Sequence, residues 1–128
     1  EAGWPSCPVV MDRATCDPLY RKAIRVSMGH ALRVPFVGVD SVPGSLGELD
    51  RLGLTTVALT TEADAVALDE VGEIERPALL LGTEGNGLSE AAQSQVKVRV
   101  RIPMTPGVDS LNVVTAAAIA LSRLIRPV

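Results

Sequence analysis

Read for its hydrophobic and polar positions, the chain predicts five strands, at Val9 to Met11, Phe36 to Val39, Leu54 to Leu59, Ala78 to Leu81 and Val98 to Ile102. Four are short unbroken apolar runs, as parallel strands covered on both faces should be. The fifth, Lys97-Val98-Arg99-Val100-Arg101-Ile102, alternates polar and apolar, so one face is expected wet and the strand is a candidate edge.

Helical patterns lie between the strands. Asp17 is a good N-cap and Pro18 suits the first helical position, opening a helix with Leu19, Ala23 and Val26 at helical spacing that ends near Gly29. Its other face carries Arg21, Lys22 and Arg25. A second helix covers Leu46 to Leu52 and stops at Gly53, a short one follows Gly87, and the last runs from about Ser110 to Leu124, before Pro127. Strands alternating with helices predict an α/β fold with a mostly parallel sheet flanked by helices. No internal repeat or linker is visible, so residues 1–128 read as one domain.

Composition narrows the picture. With 47% hydrophobic and 21% charged residues, the chain is too apolar for a disordered segment. The longest apolar stretch, Val113 to Ile125, is interrupted by Ser122 and Arg123 and falls short of the roughly 20 residues a membrane helix needs. A soluble, cytoplasmic protein is expected. Trp4, Tyr20 and Phe36 are the only aromatics, too few for a platform on which bases stack. The net charge of -3 argues against a general nucleic-acid binder, yet the charge is uneven: +2 over 1–39, -9 over 40–90 and +4 over 91–128. Two basic ends leave room for a face that attracts phosphate, although ordinary solvated faces account for the same pattern. Cys7 and Cys16, separated by eight residues, and the single histidine, His30, make no metal-site spacing, so no metal is expected. The cysteines read as reduced and structural, with a disulfide as the alternative.

Two stretches carry chemistry. In Leu79-Leu80-Leu81-Gly82-Thr83-Glu84-Gly85-Asn86-Gly87-Leu88-Ser89, an apolar strand enters a turn with three glycines and one carboxylate, then a helix. Glycine permits positive φ and lets a ligand lie against bare backbone, and the carboxyl end of a parallel strand is where α/β proteins place ligands. No Gly-Lys-Ser/Thr follows, and Glu84 would repel phosphate, so a phosphate loop is a poor reading; the dinucleotide spacing also fails. A lone carboxylate suits a cationic or hydroxyl-bearing ligand; a plain structural turn is an equal reading. In Ile102-Pro103-Met104-Thr105-Pro106-Gly107-Val108-Asp109-Ser110-Leu111-Asn112-Val113, a strand leads through a bounded loop to an Ala-rich helix. Asp109 or Ser110 would cap that helix, which leaves Asn112 without a capping role. Its small side chains predict close packing on more than one side.

Together these stretches resemble the second and third motifs of the SPOUT superfamily, in its SpoU branch of RNA 2'-O-ribose methyltransferases. The segment Asp17 to Gly29 is similar to the helix that precedes the middle strand there, so the resemblance covers most of the chain. It implies an α/β sheet whose C-terminal segment forms a trefoil knot, a topology pattern reading does not propose. It implies S-adenosylmethionine as cofactor, with Gly82, Thr83, Ile102, Met104 and Leu111 lining its pocket and Glu84, Ser110 and Asn112 facing the reacting centre. Transfer of a methyl group from a sulfonium to a ribose hydroxyl needs alignment and help in removing the proton, for which a carboxylate and polar Ser and Asn groups are suited. It further implies a homodimer, with Val113 to Ile125 as an interface, and an RNA substrate, ribosomal or transfer RNA, met by Arg21, Lys22 and Arg25; a solvated helix face is the other reading of those three.

The family's first motif contributes an Asn and an Arg, the Arg being the proposed activator of the 2'-hydroxyl. Residues 1–16 contain no Asn and only Arg13, which lies beyond the first strand. The chain, which begins with Glu1, is therefore expected to be the C-terminal part of a catalytic domain. The alternative is a non-catalytic dimeric module that binds RNA or cofactor without turnover.

Overall fold

The computed structural model describes residues 7–108 and 110–125. These form two compact units, one ending at Ser45 and the other starting at Leu46.

In the first unit, β1 (Val9–Asp12) and β2 (Phe36–Val39) pair in parallel, Val9 opposite Phe36 and Asp12 opposite Val39. The unbroken apolar runs predicted burial on both faces, but Val9, Phe36 and Val37 are exposed in this two-stranded sheet. Between the strands, α1 (Arg21–Val26) is shorter than its pattern suggests. Asp17 does not cap it. The Asp17 carboxylate instead accepts from the Leu19 N–H, and its carbonyl from the Tyr20 N–H, so the chain turns once before the helix begins at Arg21. Within α1, Ala23 and Ile24 are half-buried, whereas Val26 is exposed. A short 3-10 turn, His30–Leu32, follows. Arg13 and Asp40, just past the two strand ends, form an exposed ion pair. Cys7 and Cys16 are both unpaired and exposed, so the structural role expected of them is not met.

The helix α2 (Val42–Arg51) starts four residues before the predicted one, its first turn held by Ser41, whose Oγ accepts from the Gly44 N–H. The second unit is built on a sheet of four parallel strands, in the order β4 (Val66–Ala67), β6 (Val98–Arg101), β3 (Thr55–Leu59), β5 (Pro77–Leu80). β3 is covered over Thr56, Val57 and Ala58. β6 is interior, not an edge: β3 pairs on one side and the two-residue β4 on the other. Its alternating arginines are tied to the loop after β3, Arg99 by an ion pair to Asp64 and Arg101 by donating to the Ala65 carbonyl. Polar alternation here marks a covered face with charged anchors.

The core joins Val57 and Val100 of the central strands, both fully buried, to Leu68 and Val71 and to Ala120 and Leu124 of α4 (Val113–Leu124). Thr56 is the one buried polar residue among those described, and its Oγ1 accepts from the Lys97 N–H, satisfying one backbone donor at the start of β6. The helix α3 (Glu90–Gln95) connects β5 to β6, with Ser89 accepting from the Ala92 N–H as its cap. α4 buries one side only: Val114 and Ile119 on the rest of its surface are exposed, against the expectation of close packing on more than one side. No helix among the described residues is long and apolar enough to cross a membrane.

Candidate cofactor site

Parallel strands end on one side of a sheet, and the carboxyl ends of β6, β3 and β5 stand next to one another. From β5 the chain passes through α3 and crosses β3 to reach β6 on its far flank. Open α/β sheets bind ligands beyond the carboxyl ends of their strands. A cavity of about 620 Å³ lies here. It is within the range of roughly 300–1,000 Å³ typical of small-molecule sites.

The glycine turn forms one wall. The Gly87 N–H donates to the Thr83 carbonyl at 2.9 Å, closing the loop over Glu84, Gly85 and Asn86. Gly85 at φ 93° and Gly87 at φ 64° occupy the left-handed region that glycine enters at least cost. Gly82 is required for another reason. A Cβ there would stand 2.2 Å from the Gly87 carbonyl carbon and 2.3 Å from the Leu88 nitrogen. The turn folds back onto its own entry, and only a bare Cα permits it.

The opposite wall is the start of α4. Asn112, not Ser110, caps this helix: its Oδ1 accepts from the Val114 N–H at 2.9 Å and from the Thr115 N–H at 3.4 Å. Asp109, the other expected cap, lies outside the described residues. With Oδ1 committed to the helix, the Asn112 amide nitrogen points away from it and donates to Glu84 Oε1 at 3.4 Å. One side chain thereby links the two motifs across the cavity. Ser110 and Leu111 are exposed beside it.

Gly82, Thr83, Glu84, Ile102, Met104, Ser110, Leu111 and Asn112 all line this one cavity. Arg21, Lys22 and Arg25 belong to the other unit, are exposed on α1, and enter none of the ion pairs among the described residues. The lining also holds Thr60, Thr61 and Glu62, after β3, and Gln93 of α3, which no motif in the sequence marks. A weaker signal for the first three is present: they follow the apolar run Leu54 to Leu59, at the same kind of strand end that singles out Gly82. Among the described residues, no group of three or more His, Cys, Asp or Glu is placed to hold a metal.

The chain matches the model of the SpoU rRNA Methylase family over residues 6–122. It is 48% identical over 122 residues to an uncharacterized tRNA/rRNA methyltransferase of Mycobacterium tuberculosis, an alignment that takes in 93% of this chain and 42% of the relative. It is 36% identical over 104 residues to the 23S rRNA (guanosine-2'-O-)-methyltransferase RlmB of Xylella fastidiosa, covering 80% of the chain and 41% of that protein. The chain thus spans less than half the length of these relatives. Among solved structures, it superposes on the SpoU methyltransferase AviRb of Streptomyces viridochromogenes in complex with AdoMet, with a TM-score of 0.77, 24% identity, and coverage of 91% of this chain and 47% of that one. At that identity the likeness speaks for the fold. The matching family model, over nearly the whole chain, agrees with the parallel α/β sheet and the two motifs at its strand ends: the chain belongs to the SpoU rRNA methylase family.

Proposed function

We propose that the chain is the cofactor-binding part of an S-adenosylmethionine-dependent RNA methyltransferase whose target is a ribose 2'-hydroxyl of ribosomal or transfer RNA. One observation carries the reading: the residues of both motifs, distant in sequence, line a single cavity. Its lining fits the cofactor chemically. Leu59, Leu81, Ile102, Met104 and Leu111 offer apolar surface for an adenine, the glycine turn offers bare backbone, and the carboxylates suit ribose hydroxyls and a cationic centre.

When bound, S-adenosylmethionine supplies an electrophilic methyl carbon on a sulfonium. The chain's own residues orient and polarise. Asn112, fixed by its capping bonds, holds Glu84 in place, and Glu84 supplies negative charge to the site. The Ser110 hydroxyl, at the mouth of the cavity, is available to hydrogen-bond an incoming ribose. Arg21, Lys22 and Arg25 offer unpaired positive charge to RNA phosphate. The homodimer is part of the proposal, supported by the apolar Val114 and Ile119 left exposed on α4. The trefoil knot and a cytoplasmic location belong to the same reading of the family.

The second reading is a module that binds cofactor or RNA without turnover. Incubation of the full chain with tritiated S-adenosylmethionine and ribosomal or transfer RNA, followed by nuclease digestion, separates the two. A labelled 2'-O-methyl nucleoside supports the methyltransferase, and cofactor binding without transfer selects the module. Neither binding nor transfer contradicts both.

A further inference from the structure

We infer that Glu62 gives this cavity a preference for the cationic cofactor over its neutral demethylated product. The inference rests on the cofactor reading above and adds to it a residue that sets charge specificity. Two carboxylates, Glu62 and Glu84, line the cavity, and the described lining contains no lysine, arginine or histidine. They stand on the loops beyond neighbouring strands β3 and β5, and both line one opening. Glu84 is met by Asn112, a neutral donor that leaves its charge in place. Glu62 is not in any ion pair among the described residues. Its backbone N–H donates to Thr60 Oγ1 at 3.3 Å, which fixes the turn that carries it. Carboxylates in one concavity, with no cation to offset them, make its potential negative.

S-adenosylmethionine carries a sulfonium and an ammonium against one carboxylate, for one net positive charge. S-adenosylhomocysteine, left after methyl transfer, is otherwise the same molecule with no net charge. The cavity therefore meets two ligands that differ by one methyl and one charge, and a free carboxylate reads the charge. Such a site holds the substrate form and releases the product form more readily.

The test is isothermal titration of the full chain and of Glu62→Gln with S-adenosylmethionine, S-adenosylhomocysteine and sinefungin, which bears an amine where the sulfonium stands. Because Glu62 is exposed, removal of its charge is expected to weaken S-adenosylmethionine and sinefungin by about twofold to fivefold, with S-adenosylhomocysteine nearly unchanged. The difference should shrink between about 20 mM and about 0.5 M salt as screening sets in, and Glu62→Asp should restore it. Equal weakening of all three ligands, or no change in any, overturns the inference while leaving the cofactor reading intact. A parent chain that binds none of the three overturns that reading and this inference with it.

Discussion

Asn112 at the head of α4 donates to Glu84 in the turn after β5, at 3.4 Å, while its own oxygen caps the helix. The same side chain thus caps the helix and reaches Glu84, and the two contacts separate by substitution. Asn112→Ala removes the cap and should cost about 1 kcal/mol in urea unfolding. Asn112→Asp keeps an acceptor for the helix N–H groups but loses the donor to Glu84 and faces it with like charge. Its stability should stay closer to the parent than that of Asn112→Ala, with methyl transfer falling at least as far. Parallel losses of stability and activity in both variants would show that Asn112 is a cap and nothing more.

Gly82 and Gly85 are both glycines of the same turn, yet their substitution should differ. A Cβ on Gly82 meets backbone at 2.2 Å and cannot be accommodated by a side-chain rotation, so Gly82→Ala should destabilise by about 2–3 kcal/mol and open the turn. Gly85→Ala meets nothing within 4 Å and carries only the strain of a left-handed residue, roughly 1–2 kcal/mol. Denaturant unfolding of the two variants gives the order directly; a Gly85→Ala that is the more costly contradicts the geometry.

Val57 is fully buried at the centre of the sheet, against Val100, Ala120 and Leu124. Val57→Ala removes two buried methyl groups and should lower the unfolding free energy by about 2 kcal/mol. Since Val57 lies away from the cavity lining, S-adenosylmethionine affinity at a temperature where the variant is folded should be preserved.

RNA binding through α1 predicts a salt signature. With Arg21, Lys22 and Arg25 replaced together by Gln, RNA affinity should fall, and the slope of log affinity against log salt should flatten by about 0.7 for each phosphate no longer neutralised. Thermal stability should hardly change, because all three are exposed. An unchanged slope assigns these residues to a solvated face.

Much of this is legible in the sequence, and the failures have physical causes. The apolar runs of β3 and β5 stand out because consecutive residues of each are buried or half-buried. The glycine turn is legible from its composition, but the reason for Gly82 is not. It depends on the backbone of Gly87 and Leu88 returning to the place a Cβ would take, which no pattern records. β4 escapes pattern reading because two residues, Val66 and Ala67, carry no period. β6 reads as an edge because its arginines alternate, whereas they are held by Asp64 and the Ala65 carbonyl from a loop more than thirty residues upstream. Asn112 looks dispensable as a cap because Asp109 and Ser110 precede it, and helix starts follow φ and ψ more closely than composition. Glu62 gives only the weak signal of its strand end, because it takes the pairing of β3 with β5 to bring it to the cavity that Glu84 also lines.

The cavity at the ends of β6, β3 and β5 is the proposed seat of S-adenosylmethionine. Backbone amide NMR of the full chain, titrated with the cofactor, tests it most directly. Saturable shifts concentrated in Thr60–Glu62, Gly82–Leu88, Ile102 to Met104 and Leu111 to Val113, with β1 and α1 unmoved, are the expected result. An absence of shifts at millimolar cofactor, or shifts centred outside those four segments, would contradict it.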